Sequence, residues 1–272
     1  MPMPVSAPTT PPQPSPGSRS CVRPPTGWRR LRGGSMSQGG SESSRPVGEE
    51  ARMSRNGFYT VTGMRQGSSF VEAYGLLVVN LILGHNGTPV HCFAVTAARE
   101  GDGATTTAVN IGLTLAQIGR TTLLVEANLR TPALASVFTL KDGPGLVDVL
   151  TGATPVQEAI RPTGTANLSV LTAGKPKGSP HALLEPRRLE TLVQHLRQGY
   201  DFVVFDTAAL LKYPDTLSLV RAVDGILLVV PAHDASGRTQ QEMRRRLERV
   251  EAKVLGAVLN RVPPAQVAAV MG

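Results

Sequence analysis

Cysteine is nearly absent from this 272-residue chain; Cys21 and Cys92 are the only two. Two cysteines cannot build a disulfide framework, which excludes the small disulfide-stapled secreted classes and points to a reducing compartment. Aromatic side chains are scarce as well, at 4%, which argues against a surface dominated by base or sugar stacking. No apolar run approaches the roughly 20 residues needed to cross a bilayer. The longest, Leu76–Leu83, is interrupted by Asn80. The segment MPMPVSAPTTPPQPSP carries neither a basic start nor an apolar stretch, so no secretory leader is expected and the expected location is cytoplasmic. What is present is an ordinary globular composition, 41% apolar and 18% charged. The length suits one sizeable α/β domain or two small ones.

The formal charge of +8 would suit nucleic acid or anionic lipid, but it is unevenly placed. Residues 1–57 hold eight arginines against Glu42, Glu49 and Glu50, or 8 − 3 = +5, leaving 20 − 17 = +3 for the other 215 residues. The foldable part is therefore close to neutral, and no specific nucleic-acid partner is expected. Residues 1–57 also carry 10 of the 22 prolines. Such a stretch cannot bury enough apolar area to offset its ordering entropy, so it reads as a disordered tail. Its arginines (Arg29, Arg30, Arg32) suit a tether on anionic lipid. The alternatives are a solvated tail, or a reading frame that truly starts at Met36 or Met53.

The pattern changes at Phe70. Phe70, Ala73, Tyr74, Leu77, Val78, Leu81 and Ile82 form a helical stripe, with Ser68 or Ser69 as N-cap and Gly84 or Gly87 as terminator. Leu76, Val79 and Leu83 add a second apolar face, which predicts cover on more than one side. Short apolar runs follow at Val90–Thr96, Thr121–Val125, Leu168–Leu171, Phe202–Phe205, Ile226–Val230 and Val254–Leu259. Helix patterns separate them at Thr105–Ile118, Arg187–Gln198 and Ser236–Val250. Continuous apolar strands between helices predict a doubly wound, mostly parallel α/β sheet buried on both faces, over about residues 65–262. The expected organisation is a helix region at 58–88 packing on the domain or a partner, a nucleotide-binding domain at 89–262, and a short tail at 263–272.

In open α/β sheets, ligands bind beyond the carboxyl ends of the strands. The first strand, HCFAVT, runs into AAREGDGATTTAVNIG, a glycine-bearing turn followed by a helix. This is where a phosphate loop belongs, because glycines let backbone N–H groups face a phosphate and the helix N-terminus adds positive potential. The consensus G-x-x-x-x-G-K-[ST] is partly met: Ala98 stands for the first glycine, Gly103 and Thr105 fit, and Ala104 sits at the lysine position. TTLLVEANLRTP ends a strand in acidic and amide side chains. YDFVVFDTAA ends one in Asp206-Thr207, the form of a Walker B element. The last strand places Asn260 where an adenine could be recognised.

With these elements in order, the chain resembles the bacterial tyrosine kinases of capsule and exopolysaccharide synthesis, a branch of the MinD/ParA-like P-loop ATPases. The likeness runs from about Glu72 to Val262 and includes EAYGLLVVNL, GPGLVDVLTG, NLSVLTAGK and VDGILLVVPAHDASG. It implies a P-loop NTPase-like fold and a site for ATP or ADP with Mg2+. The implied nucleotide-binding residues are Gly101, Asp102, Gly103, Ala104, Thr105, Thr106, Arg130 and Asn260. Thr105 and Asp206 would hold the metal, and Glu126, Asn128 and Asp206 fall on the catalytic positions. It also implies a membrane polysaccharide co-polymerase as partner, a homo-oligomer, and a location at the inner face of the membrane.

The departures are specific. The family's G-E-G-K-[ST] is Gly101-Asp102-Gly103-Ala104-Thr105, and its Asp-x-Asp-x-Arg is Glu126-Ala127-Asn128-Leu129-Arg130. Ala208 and Ala209 replace two prolines, Gly75 and Val78 replace arginines of the oligomerising helix, and no C-terminal tyrosine cluster follows Tyr213. Losing the lysine removes a charge-assisted contact of about 1.5–3 kcal/mol and roughly 10²–10³ in rate. Asn128 cannot accept a proton, a further loss of roughly 10²–10⁴. One positive and one negative charge are gone together, which predicts a pocket that tolerates a nucleotide but processes it poorly. Equal weight falls on simple drift in a disused site.

The expected protein is thus a degenerate tyrosine-kinase-like regulator of exopolysaccharide assembly and export. A weakly active kinase using Glu126, Asp206 and Mg2+ is the first alternative, and a partitioning or positioning ATPase of the MinD/ParA kind the second. Arg244, Arg245, Arg246 and Arg249 read as a solvated helix face and Cys92 as core. His181, His195 and His233 have no metal-ligand spacing. At Gly75 and Val78 an apolar docking face and extra core packing are equally compatible with the residues.

Overall fold

The computed structural model describes residues 57–84, 87–175, 178–234, 237–263 and Gln266. The tail at 1–56 and most of 263–272 lie outside the described residues. Seven strands form one sheet in the order β3-β4-β2-β5-β1-β6-β7. They are β1 (Cys92–Ala97), β2 (Thr122–Glu126), β3 (Arg161–Pro162), β4 (Leu168–Leu171), β5 (Phe202–Asp206), β6 (Gly225–Pro231) and β7 (Val254–Asn260). All neighbouring pairs are parallel except β3 with β4. β1, β2 and β5 are buried along their whole length, as expected of strands covered on both faces. The two-residue β3 escaped the sequence reading because it is too short to show a period and contains Pro162, which a sheet tolerates at an edge.

The helices are α1 (Ser69–Leu83), α2 (Ala104–Gln117), α3 (Leu134–Val137), α4 (Leu146–Leu150), α5 (Val156–Ala159), α6 (Pro180–Leu183), α7 (Pro186–Leu196) and α8 (Gly237–Arg249). α1 and α2 share one core with β-sheet residues such as Phe93, Val95, Leu124 and Val204. α4, α7 and α8 share the other with Cys92, Leu123, Val203 and Phe205. α2 lies close to the sheet at Gly112, where a Cβ would press on the Leu124 side chain.

Ser68 caps α1, its Oγ accepting from the Val71 amide, and Gly84 ends the helix at φ 80°. Tyr74, Val78 and Leu81 are buried against α2. The predicted cover on a second face is not found among the described residues: Leu76, Val79 and Leu83 are 57%, 50% and 73% exposed. Their stripe lies on the side of the helix turned away from Tyr74 and Val78, beyond the reach of α2. Val78 has become core, whereas a side chain at Gly75 would meet open space.

The stretch before α1 is anchored by one buried side chain. Asn110 of α2 accepts from the Val61 amide at 2.7 Å and donates to the Tyr59 and Thr106 carbonyls, both at 2.9 Å. Val61 itself is buried. The amide of Asn110 thus ties the chain entering α1 to the first turn of α2, immediately behind the glycine-bearing loop.

Candidate functional site

β1 ends beneath a loop, Ala98–Gly103, that leads into the N-terminus of α2. Gly101 and Gly103 have φ of 85° and 103°, a region glycine enters at little cost. The turn closes on itself, with Arg99 N donating to Asp102 Oδ2 at 2.9 Å and Asp102 N to Arg99 O at 3.4 Å. Gly103 offers α2 no capping side chain. The first-turn amides of a 14-residue helix therefore supply an anion-binding end with positive potential.

Asn260 and Arg261, at the end of β7, hold this loop. Asn260 Nδ2 donates to the Asp102 carbonyl at 2.9 Å, its Oδ1 accepts from Arg261 N, and the Arg261 guanidinium donates to the Gly101 carbonyl. A Cβ on Gly103 would overlap the Asn260 amide. Asn260, expected to read an adenine, here braces the loop from below.

The first turn of α2 meets β5 through Thr105, whose hydroxyl donates to Asp206 Oδ2 at 2.8 Å. Asp206 is buried, and among the described residues its Oδ1 has no partner. Burial pushes this carboxyl up to about 8; the Thr105 bond pulls it down in part, and nearby Glu126 adds to the rise. An orphaned, buried carboxylate oxygen beside a threonine hydroxyl is a cost that a cation would relieve. Thr105 and Asp206 therefore fit a divalent ion at the phosphates, where it would neutralise charge on the transferring group.

Glu126 ends β2 directly opposite Asp206 in the sheet register. Its carboxylate, however, is committed to backbone. One oxygen accepts from the Ala133 and Leu134 amides (the latter at 2.6 Å) and the other from Ala173 N at 2.9 Å. Burial raises its pKa, with those three amides and the charge of Arg161 opposing the rise. Expected on a catalytic position, Glu126 serves as the N-terminal cap of α3 and a clasp on the chain after β4. Asn128 is turned onto Thr131, accepting from its amide at 3.2 Å and donating to its hydroxyl at 3.0 Å. Arg130, expected to bind nucleotide, donates through Nε to buried Asp215 at 2.8 Å, and its guanidinium lies 4.6 Å from the centre of the Tyr213 ring. Thr106 contributes its carbonyl to Asn110.

Several residues of the site were not foreseen. The segment after Asp206 runs beside β1 and the loop: Thr207 N, Leu210 N and Leu211 N donate to the carbonyls of Val95, Ala97 and Ala98. Thr96 and Thr216 hydroxyls both hold the Ala208 carbonyl. Arg246 of α8 donates to the carbonyls of Leu210 and Leu211, each at 3.0 Å. It is a clamp rather than part of a solvated face; Arg244, paired with Glu248 along the helix, fits that description. Lys212 reaches Glu100 at 2.7 Å. Apart from Arg244–Glu248 and Thr216–Ala208, these pairings join residues at least 35 positions apart, so no motif announces them.

Residues 90–256 match the AAA domain family. Tyrosine-protein kinase YwqD of Bacillus subtilis is 31% identical over 215 residues, which are 77% of this chain and 87% of YwqD. The chain belongs to the bacterial tyrosine-kinase family. Another relative, succinoglycan biosynthesis transport protein ExoP of Rhizobium meliloti, is 30% identical over 178 residues, 64% of this chain and 23% of ExoP. Among solved structures, the chimerical protein CapA2B2 superposes with TM-score 0.69 at 27% identity, covering 73% of this chain and 88% of that one. MinD of Pyrococcus horikoshii OT3, solved with Mg-ADP, gives 0.56 at 25% identity, covering 66% and 76%. The fold of this tyrosine-kinase relative is P-loop NTPase-like.

Proposed function

We propose that this protein is a tyrosine-kinase-like regulator that binds Mg-nucleotide weakly and transfers phosphoryl groups poorly or not at all. The observation that carries the reading is the split between Asp206 and Glu126. The Thr105–Asp206 pair keeps an orphaned oxygen suited to a cation, while both oxygens of Glu126 are occupied by backbone amides. A binding cradle without a free second carboxylate holds a nucleotide but neither shares the metal nor takes the proton of an attacking hydroxyl. Ala104 removes the cation that would otherwise stabilise the transferring phosphoryl group.

The system served is exopolysaccharide or capsule assembly and export, by similarity to the tyrosine kinases and to ExoP. The partner is a membrane polysaccharide co-polymerase, met at the inner face of the membrane, with self-association as the other use of the same surface. The exposed stripe Leu76, Val79 and Leu83 supports an apolar docking face on α1. The tail at 1–57 would act as a tether. The test is calorimetric titration with Mg-ATP and Mg-ADP, followed by incubation with labelled ATP and mass spectrometry. Binding without tyrosine phosphorylation is expected. Robust tyrosine phosphorylation would return the chain to the active kinases, and Ala104→Lys should tighten nucleotide binding without restoring transfer.

A further inference from the structure

We propose that Lys212, delivered by the segment after β5, supplies to the terminal phosphate of ATP the positive charge that Ala104 no longer provides. The inference rests on the nucleotide-binding reading above. Thr105 and Asp206 would hold a metal, and its chemistry there would be to neutralise charge on the outer phosphates. The terminal phosphate therefore falls on the Asp206 side of the loop, beside the chain that follows β5. That chain is not free to wander: Leu210 N and Leu211 N bond the carbonyls of Ala97 and Ala98, at 2.9 and 3.2 Å, and Arg246 holds Leu210 and Leu211 from the other side. The next residue is Lys212. Its backbone is thus pinned one residue from a strut to the start of the phosphate loop.

The other cations around the loop are held by partners outside it or by its backbone. Arg99 is paired with Asp234 and donates to Thr239 Oγ1. Arg130 is held on buried Asp215 and over Tyr213. Arg261 braces the Gly101 carbonyl. Lys212 instead rests on Glu100, itself a loop residue, in a pair whose side chains are 54% and 39% exposed, with its ammonium 5.1 Å from the centre of the Tyr213 ring. An exposed pair of this kind contributes little and exchanges readily. A triphosphate offers more negative charge than one carboxylate, and a lysine ammonium on a four-carbon stem can turn to it. A diphosphate lacks the terminal group placed on that side, so the lysine should distinguish ATP from ADP.

The experiment is calorimetric titration of the full chain with ATP and with ADP, both in excess Mg2+. Lys212→Ala should weaken ATP binding ~10–100-fold, the range of one charge-assisted phosphate contact, with ADP changed by less than about twofold. Glu100→Gln should tighten ATP binding, because the lysine is no longer shared. Ala104→Lys added to Lys212→Ala should recover the lost ATP affinity. Lys212→Met keeps the stem and serves if the alanine variant loses its thermal transition. Equal effects of Lys212→Ala on both nucleotides, or none on either, would show only a latch between the loop and the segment after β5 and overturn the proposal. A wild type that binds neither nucleotide would remove the nucleotide-binding reading itself, and this proposal with it.

Discussion

Glu126→Gln separates a structural clasp from a catalytic carboxylate. In the wild type, one oxygen takes the Ala133 and Leu134 amides and the other takes Ala173 N. Glutamine can keep its carbonyl on the first pair, but its NH2 then faces the Ala173 N–H, leaving two buried donors opposed. Each unsatisfied buried donor costs about 1–3 kcal/mol, and the two retained bonds weaken on losing their charge. Relief of the buried charge offsets part of this, so the net loss should be about 2–4 kcal/mol. For a domain of this size, 1 kcal/mol shifts the midpoint by about 2–4 °C. The thermal midpoint, followed by circular dichroism without nucleotide, should therefore fall by roughly 5–15 °C. Glu126→Asp should fall too, because the shorter side chain cannot span α3 and the chain after β4 together. An unchanged or raised midpoint for Glu126→Gln would mean the carboxylate is not needed by those amides and is free for a metal, which would refute the clasp.

Three further outcomes are expected. Removing residues 1–57 should leave the thermal midpoint within about a degree or two, whereas extending the deletion through Val61 should lower it clearly, since Asn110 then loses two backbone partners; equal effects of the two deletions would contradict the Asn110 tie. Without metal, stability should fall as pH rises from about 4 towards 8. The ordinary value of Asp206 is 3.8 and its folded value about 8, so over that range the folded state holds a proton the unfolded state has released; Asp206→Asn should flatten the slope, and urea melts at several pH values measure it. Val79→Arg should stay folded, because Val79 is 50% exposed, while weakening self-association or capture by the membrane partner in sedimentation or pull-down; a variant that unfolds would mean the position is core.

The sheet was legible because buried parallel strands are written as unbroken apolar runs; Leu168–Leu171 and Phe202–Phe205 needed almost no adjustment. The phosphate loop and Asp206 were legible for the same local reason, a strand followed by a glycine turn or by Asp-Thr. The pairings that decide the chemistry were not. Glu126 reads as a degenerate catalytic carboxylate until Ala133 and Ala173 are placed beside it, 7 and 47 residues away. Asp215, Arg246 and Lys212 carry no motif, and their partners are set by how the segment after β5 folds over β1. The exposed stripe of α1 was visible as apolar residues, but periodicity alone could not tell a covered face from an open one.

The brace from β7 to the phosphate loop sets an order of events during synthesis. Asn260 and Arg261 lie 158 and 160 residues after the carbonyls they hold, among the longest closures in the fold, and long-range closures form late. A nascent chain can assemble β1, β2 and β5 and still present an unsupported loop until β7 has left the ribosome and paired with β6. Under the proposed nucleotide-binding reading, affinity would therefore mature after the core does. A chain halted before residue 260 would lack the brace that holds its loop in shape, so ligand binding would report completion of the polypeptide rather than collapse of its core.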